Sequence, residues 1–283
     1  MVYVNGKGAS AGLWNAFTFL RVKDWLHFVP VSLLTLDPRM AGALPIARAL
    51  VLSVLCLAFA YGWNTVKDEH LDQPGTLPPA RLASLRFVLV ALVVLALSLA
   101  AWSGLKSFVA AMLSLSGSAL YSGGLRLKAL PVVGTLANAW IFVPLALLGA
   151  SEQNVQPEHW RLLGVFTLML LQNQLLHEAS HAPDDNAEGI QTTIVRFGVR
   201  FGSVVAILLG LTAVVLLVAP FLSSRCGLPV VLASVPLGLL SLCLTPGRLA
   251  EIGLVRRLRR LQRWCGVLAG AVAWLATLEL VVC

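Results

Sequence analysis

The chain has 283 residues, 58% of them hydrophobic and 12% charged, with a mean hydropathy of +0.84. A soluble domain carries about 25% charged residues, so this composition excludes an ordinary water-soluble fold and calls for a protein solvated largely by lipid. The net charge of +8 is then read as topology and contact with membrane lipid, with no nucleic-acid partner.

A helix needs about 20 apolar residues to cross a bilayer. Nine runs approach or exceed that length: 13–36, 43–65, 82–102, 104–121, 130–149, 160–178, 201–223, 228–246 and 264–282. The chain is therefore predicted to be an all-α integral membrane protein of nine transmembrane helices in a single domain, residues 1–283. Basic residues cluster after spans two, four, six and eight, for example Lys67, Arg126, Lys128, Arg196 and Arg256. Lys and Arg in short loops mark the cytoplasmic side, which places the N-terminus with Lys7 in the cytoplasm. No short basic and apolar segment with a small-residue cleavage site opens the chain, so no cleaved signal peptide is expected. Five cysteines, Cys56, Cys226, Cys243, Cys265 and Cys283, show no CxxC pairing and read as buried apolar side chains rather than a disulfide framework or zinc knuckle.

The first span is interrupted by Arg21, Lys23 and Asp24. The second runs into Asn64-x-x-x-Asp68-x-x-x-Asp72, whose four-residue spacing stacks an amide and two carboxylates on one helix face. An ionisable group within a membrane helix costs about 2.5–3.5 kcal/mol on the milder insertion scale, so the ladder marks a site where a metal or a diphosphate could meet all three groups. After the fourth span comes Tyr121-Ser-Gly-Gly-Leu-Arg126-Leu-Lys128, a glycine-bearing turn with a phenol and two cations suited to a polyanion.

The end of the sixth span repeats the polar ladder as Asn173, His177, His181 and Asp185. Of the 13 acidic residues, Asp68, Glu69 and Asp72 lie in the first stretch and Glu178, Asp184, Asp185 and Glu188 in the second. Both stretches fall on the predicted cytoplasmic side, where the fold could bring them face to face across a central cavity. Pro74 and Pro183 are expected to end or restart the helices locally. Glu251 to Trp264 is a basic amphipathic stretch expected to lie in the headgroup plane as an anchor, or over the cavity mouth as a lid.

These motifs together resemble the UbiA-type superfamily of intramembrane prenyltransferases. Asn64, Asp68 and Asp72 match its first aspartate-rich motif, and the Tyr121 to Lys128 loop with Pro131 and Gly134 is similar to its Tyr and Lys loop. Asp185-x-x-x-Gly189-x-x-Thr192 leading to Arg196-Phe-Gly198 looks like the end of its second motif. The resemblance covers essentially the whole chain. It implies an active site at the cytoplasmic end of a central, lipid-open cavity. There a prenyl diphosphate, bridged to the two acidic motifs by Mg²⁺, ionises, and its prenyl group passes to an aromatic or other lipophilic acceptor. By that resemblance Asp68, Asp72, Glu178 and Asp185 are metal ligands, and Asn64, Lys67, Arg126 and Lys128 bind substrate. Tyr121 and His181 are the catalytic residues, Tyr121 guarding the cation or contacting the diphosphate.

In the second motif Glu178, His181 and Asp185 stand where the family has three acids. Imidazole suits transition metals better than Mg²⁺ and could instead donate to a phosphate or remove a proton. Two other activities on the same scaffold stay open: a terpene cyclase, and a phosphoribosyl transfer to a polyprenyl phosphate. His177-Glu178-Ala-Ser-His181 also reads as HExxH, the helix of a zinc metalloprotease. A transporter using the two acidic stretches as an ion site is the non-enzymatic alternative.

Overall fold

The computed structural model describes residues 19–36, 42–71, 79–151, 155–222 and 227–280. All regular structure among them is helical. The first described segment, α1 (Val22–Trp25), passes into a 3₁₀ stretch, Leu26–Leu33, that contains Pro30. Proline supplies no N–H and its ring crowds the preceding turn, so the described part of the first predicted span is a broken rather than a continuous helix. Next come α2 (Ala43–Leu71), α3 (Pro79–Ser103) and α4 (Leu105–Ser122). Gly104, with φ 118° and ψ 169°, separates α3 from α4 in a backbone conformation that only glycine adopts readily.

A loop with the 3₁₀ turn Leu127–Ala129 leads to α5 (Val133–Phe142), after which Pro144 opens a second 3₁₀ stretch, Pro144–Ser151. Then follow α6 (Pro157–Ala187), α7 (Thr193–Val218), α8 (Gly227–Leu242), the short α9 (Pro246–Leu249) and α10 (Ile252–Leu280). Three stretches, Ala43–Asp68, Leu82–Ser103 and Thr193–Phe221, are long and apolar enough to cross a membrane. Val133–Gly149 and Gly227–Leu242 are shorter apolar helical segments. Phe87, Leu105, Leu222, Leu228 and Trp264 are each more than two-thirds exposed, an outer surface that lipid rather than water accommodates.

One group of helices, α1 to α5, packs around Leu52, Cys56, Leu89, Ala111 and Leu145. The other, α6 to α8 with α10, packs around Ala213, Phe221, Val230 and Ala273 and around Leu176, Ala206 and Val255. The groups meet where α5 packs on α6, and α10 returns against α6 and α8. Small residues let these helices approach closely: Ala96, Ala100, Ser107 and Ala111 are all fully buried.

Two sequence expectations change here. Helix α6 runs through Pro183 to Ala187, so Asp185 does continue the face of His177 and His181. At 31 residues and 1.5 Å per residue, α6 is about 46 Å long, against about 30 Å of hydrocarbon. The extra length carries the polar ladder beyond the span. The basic stretch after Glu251 is continuous with the last apolar run in α10. Its face is set by helical period: Val255, Leu258 and Gln262 are buried, whereas Arg256, Arg257 and Arg260 are exposed.

A buried amide network fixes α10 against α6. Gln262 Nε2 donates to Gln172 Oε1 at 3.1 Å and to the Met169 carbonyl at 3.0 Å, and Asn173 Nδ2 donates to Gln262 Oε1 at 2.7 Å. Gln172 Nε2 reaches the Ala206 carbonyl of α7 at 2.9 Å and Ser241 Oγ of α8 at 3.1 Å. Such groups, out of water, stay only where they are hydrogen-bonded, so the network sets the register of four helices.

Candidate active site

The polar ends of α2, α4 and α6 open on one cavity of about 880 Å³ between the two helix groups. On the α2 wall, Asn64 Nδ2 donates to Asp68 Oδ2 at 2.6 Å, as expected for residues one turn apart. Ser122 Oγ at the end of α4 donates to Asn64 Oδ1 at 2.6 Å, and Lys128 Nζ donates to Asp68 Oδ1 at 2.6 Å. Asp68 and Lys128 are half-buried, where a charge-assisted bond is less screened than at a water surface. The first motif and the Tyr121 to Lys128 loop therefore form one hydrogen-bonded unit. Tyr121 lines the cavity, with Asn138 Nδ2 3.5 Å from its hydroxyl.

The loop is held in an unusual conformation. Arg126 has φ 42° and Val132 φ 63°, positions that cost non-glycine residues about 1–3 kcal/mol each. Gly134 packs under it: a Cβ at this position would lie 2.9 Å from the carbonyl oxygens of both Leu127 and Lys128. Backbone cannot yield as a flexible side chain can. Gly134→Ala is therefore expected to lower the Tm of the purified protein by several degrees and to reduce its activity by up to about a hundredfold, the scale of a 1 Å displacement of a positioning group. Thermal unfolding and initial rates measured on the same preparation check both effects.

On the α6 wall, His177, His181, Asp184, Asp185 and Glu188 line the cavity. Burial first, then the carboxylates of Glu178, Glu188 and Asp184, push the Asp185 carboxyl up to about 6. Burial first, then the positive charges of Arg256 and Arg259, lower His181 below the usual imidazole value, so it is neutral and able to accept a proton at neutral pH. The rings of His177 and His181 meet edge to face, centroids 4.7 Å apart.

Glu178 also lines the cavity but is more buried than Asp184, Asp185 and Glu188. It is 5% exposed and its Oε1 accepts from Thr135 Oγ1 at 2.7 Å and Gln174 Nε2 at 3.4 Å, while Oε2 accepts from the Ile194 N–H at 3.4 Å. Thr135 Oγ1 lies 2.7 Å from Thr193 Oγ1, which in turn accepts from the Val132 N–H at 2.9 Å. The α7 N-cap residue, Thr192, makes no side-chain cap bond, and Glu178 supplies an acceptor at that positive helix end instead. Glu178 thus joins α5, α6 and α7 beneath the loop.

Seven residues separate Glu178 from Asp185, about 10.5 Å along the helix axis. Among the described residues no three His, Cys, Asp or Glu side chains are grouped closely enough to hold one metal ion. The second-motif ligands therefore do not form a ready cluster, and the HExxH reading loses its glutamate to the α5–α7 contact. Lys67 is also displaced from its expected role. Its ammonium lies 4.6 Å from the centroid of the Trp63 ring, and it is absent from the cavity lining. Asp72 lies outside the described residues.

The oxygen donors present suit Mg²⁺. Asp68 and Asp185 offer hard oxygen donors to one space, and the neighbouring negative charge that helps raise the Asp185 carboxyl is what a divalent cation would offset.

Residues 28–250 match the model of the UbiA prenyltransferase family. The chain belongs to that family. A digeranylgeranylglyceryl phosphate synthase from Methanopyrus kandleri is 24% identical over 250 residues, covering 84% of this chain and 90% of that protein. Of solved structures, one concerning digeranylgeranylglyceryl phosphate synthase in membranes has a TM-score of 0.73 at 14% identity, over 94% of this chain and 99% of the other. A UbiA homologue from Archaeoglobus fulgidus bound to GPP and Mg²⁺ has a TM-score of 0.67 at 18% identity, over 91% and 99%. At these identities the solved structures show a shared fold. The UbiA prenyltransferase described here is thus an integral membrane enzyme.

Sequence reasoning missed two sets of cavity residues in it. Ser118 and Ser122 carry no signal by themselves, being single hydroxyls on an apolar helix. Arg259 and Arg263 had a signal: they follow Val255 at four-residue spacing and so flank the buried face of α10.

Proposed function

We propose that this chain, acting as one domain over residues 1–283, ionises a prenyl diphosphate and transfers the prenyl group to a lipophilic acceptor. The observation that carries the reading is the Ser122–Asn64–Asp68–Lys128 chain of hydrogen bonds facing Asp185 across a cavity. Asp68, Asp72 and Asp185 are the groups that would hold Mg²⁺, and bound Mg²⁺ supplies neutralisation of the charge that develops on the leaving diphosphate. Arg126 and Lys128 bind diphosphate oxygens, and Asn64 and Ser122 hold Asp68 in position. Tyr121 presents its phenol toward the prenyl cation, while the apolar lining from Phe28, Ile141, Phe142 and Leu170 keeps water from capturing it. Neutral His181 accepts the proton released when an acceptor hydroxyl or ring is alkylated.

Nine crossings fit the apolar runs, with the cavity open to lipid and the site at the cytoplasmic end of the inner membrane. The test is incubation of purified protein in neutral lipid with labelled prenyl diphosphates of several lengths, Mg²⁺ and a total lipid extract, followed by mass spectrometry. A Mg²⁺-dependent prenylated lipid is expected. Cyclised hydrocarbon formed without acceptor would replace transfer by cyclisation, and no release of diphosphate from any donor would end the proposal.

A further inference from the structure

The segment that joins α6 to α7 is set off by two glycines in left-handed backbone, Gly189 at φ 72° and Gly198 at φ 82°. Gly198 interrupts the helical backbone within α7, so Thr193 to Phe197 is not carried rigidly by the long helix that follows. Its place is set instead by contacts from the side. The Ile194 N–H donates to Glu178 Oε2 at 3.4 Å, and the Ile194 side chain fills the space that a Cβ on Gly202 would need. Thr193 Oγ1 accepts from the Val132 N–H at 2.9 Å, a contact across 61 residues of chain. Val132 belongs to the loop that carries Lys128.

The direction of donation along this contact is fixed by chemistry. A backbone N–H can only donate, and a carboxylate can only accept. Thr135 gives its one hydroxyl proton to Glu178 Oε1 at 2.7 Å, so in the 2.7 Å contact between the two threonines Thr193 is the donor. Donation therefore runs from Val132 through Thr193 and Thr135 to Glu178. Thr135, Thr193 and Glu178 are all buried, where a group left without its partner is costly. Val132 stands at φ 63°, an outlier for a β-branched residue that persists only where its surroundings over-determine it. The turn closed by the Gly134 N–H on the Leu130 carbonyl at 2.9 Å encloses Val132, and the Leu130 N–H in turn donates to the Leu127 carbonyl at 3.1 Å. Lys128 lies inside that last turn, its Nζ 2.6 Å from Asp68 Oδ1.

We propose that Thr193 is a positioning residue for the donor site: its hydroxyl, held by Thr135 and Glu178, fixes Val132 and so sets the Lys128 ammonium beside Asp68. This rests on the prenyl-transfer reading of the cavity, in which Lys128 binds the diphosphate. Thr193 is absent from the cavity lining, so it acts through the loop and not on substrate. Without its hydroxyl the Val132 N–H loses its acceptor, the residue relaxes toward negative φ, and the turn bearing Lys128 moves with it. One threonine thereby aligns the two walls of the cavity, the acidic end of α6 and the Lys128 loop.

The test compares the full chain with its Thr193→Val and Thr193→Ser variants in phosphatidylcholine nanodiscs. Hydrogen exchange of the 126–134 segment and binding of geranyl diphosphate with Mg²⁺ are measured on each. Valine keeps the shape and removes the hydroxyl. Exchange should quicken in the loop, and geranyl diphosphate should bind about tenfold more weakly, the scale of one charge-assisted contact. Serine, which keeps the hydroxyl, should restore most of both. Lys128→Met then separates positioning from general stability. In that background Thr193→Val should weaken binding by less than about twofold further, because the two residues act on one contact. A further tenfold loss there, roughly full additivity, overturns the proposal, as does unchanged loop exchange in Thr193→Val. If the valine variant does not fold, Thr193→Cys, whose sulfur accepts only weakly, carries the same expectations with a smaller change, and wild-type loop exchange in it overturns the proposal equally. Failure of the wild type to bind geranyl diphosphate, with loop exchange still quickened by valine, would sink the prenyl-transfer reading and leave the hold of Thr193 on the loop standing.

Discussion

Asp68→Asn is expected to reduce prenyl transfer by about 10²–10³-fold, the range for losing one preorganised electrostatic group at a reacting centre. Asparagine keeps the shape and one carbonyl oxygen, so Asn64 and Lys128 can still pack against it, but it removes the charge that both contact within 2.6 Å. A half-buried lysine then loses its counter-ion. Its attraction for diphosphate should rise, so the KM for donor is expected to stay level or fall while kcat collapses. Steady-state kinetics with varied donor and varied Mg²⁺ read the two quantities apart. A variant within about threefold of wild-type kcat would remove Asp68 from the reaction, since that is under 1 kcal/mol of transition-state stabilisation.

Glu178→Ala is expected to act on stability first. The side chain is buried and accepts from Thr135, Gln174 and the Ile194 N–H. Removing it strands donors on three helices, each costing about 1–3 kcal/mol. A total loss of about 3–5 kcal/mol, the lower part of the sum of three such terms, should appear as a large fall in Tm with Mg²⁺ absent. Glu178→Gln keeps an acceptor for Thr135 and should recover most of that Tm. If Glu178 instead served mainly as a metal ligand, glutamine would abolish activity and leave metal-free Tm untouched. Reading Tm and initial rate side by side in both variants decides between these roles.

Much of the site was visible in the order of residues. Asn64 and Asp68 are four apart on a helix, so their contact follows from helical geometry alone. Lys128 reads from the sequence as a cation for a polyanion, and its 2.6 Å contact with Asp68 across 60 residues of chain emerges only from the fold. What misled was treating each polar residue of the second stretch as equivalent. Glu178, His181 and Asp185 share one face of α6, but α5 and α7 cover only its inner part. The result is two cavity-lining carboxyls, Glu178 buried and joining helices, Asp185 half-buried. Pro183 was given too much weight as a helix breaker, because at the water-exposed end of a long helix a missing N–H can be tolerated. Lys67 was misplaced because side-chain direction on α2 sends it to Trp63.

The sequence alone determined the solvent of this protein, its helical character and the two acidic ladders, because apolar run length and the 3.6-residue period are local properties of the chain. Tertiary structure decided which polar groups line the cavity and which also fasten helices together. That Glu178 meets Thr135 at the cavity wall, and that Arg259 reaches the same cavity as Asp68, depends on how α5, α7 and α10 pack around α6. Those contacts join residues tens of positions apart, and no local pattern specifies them.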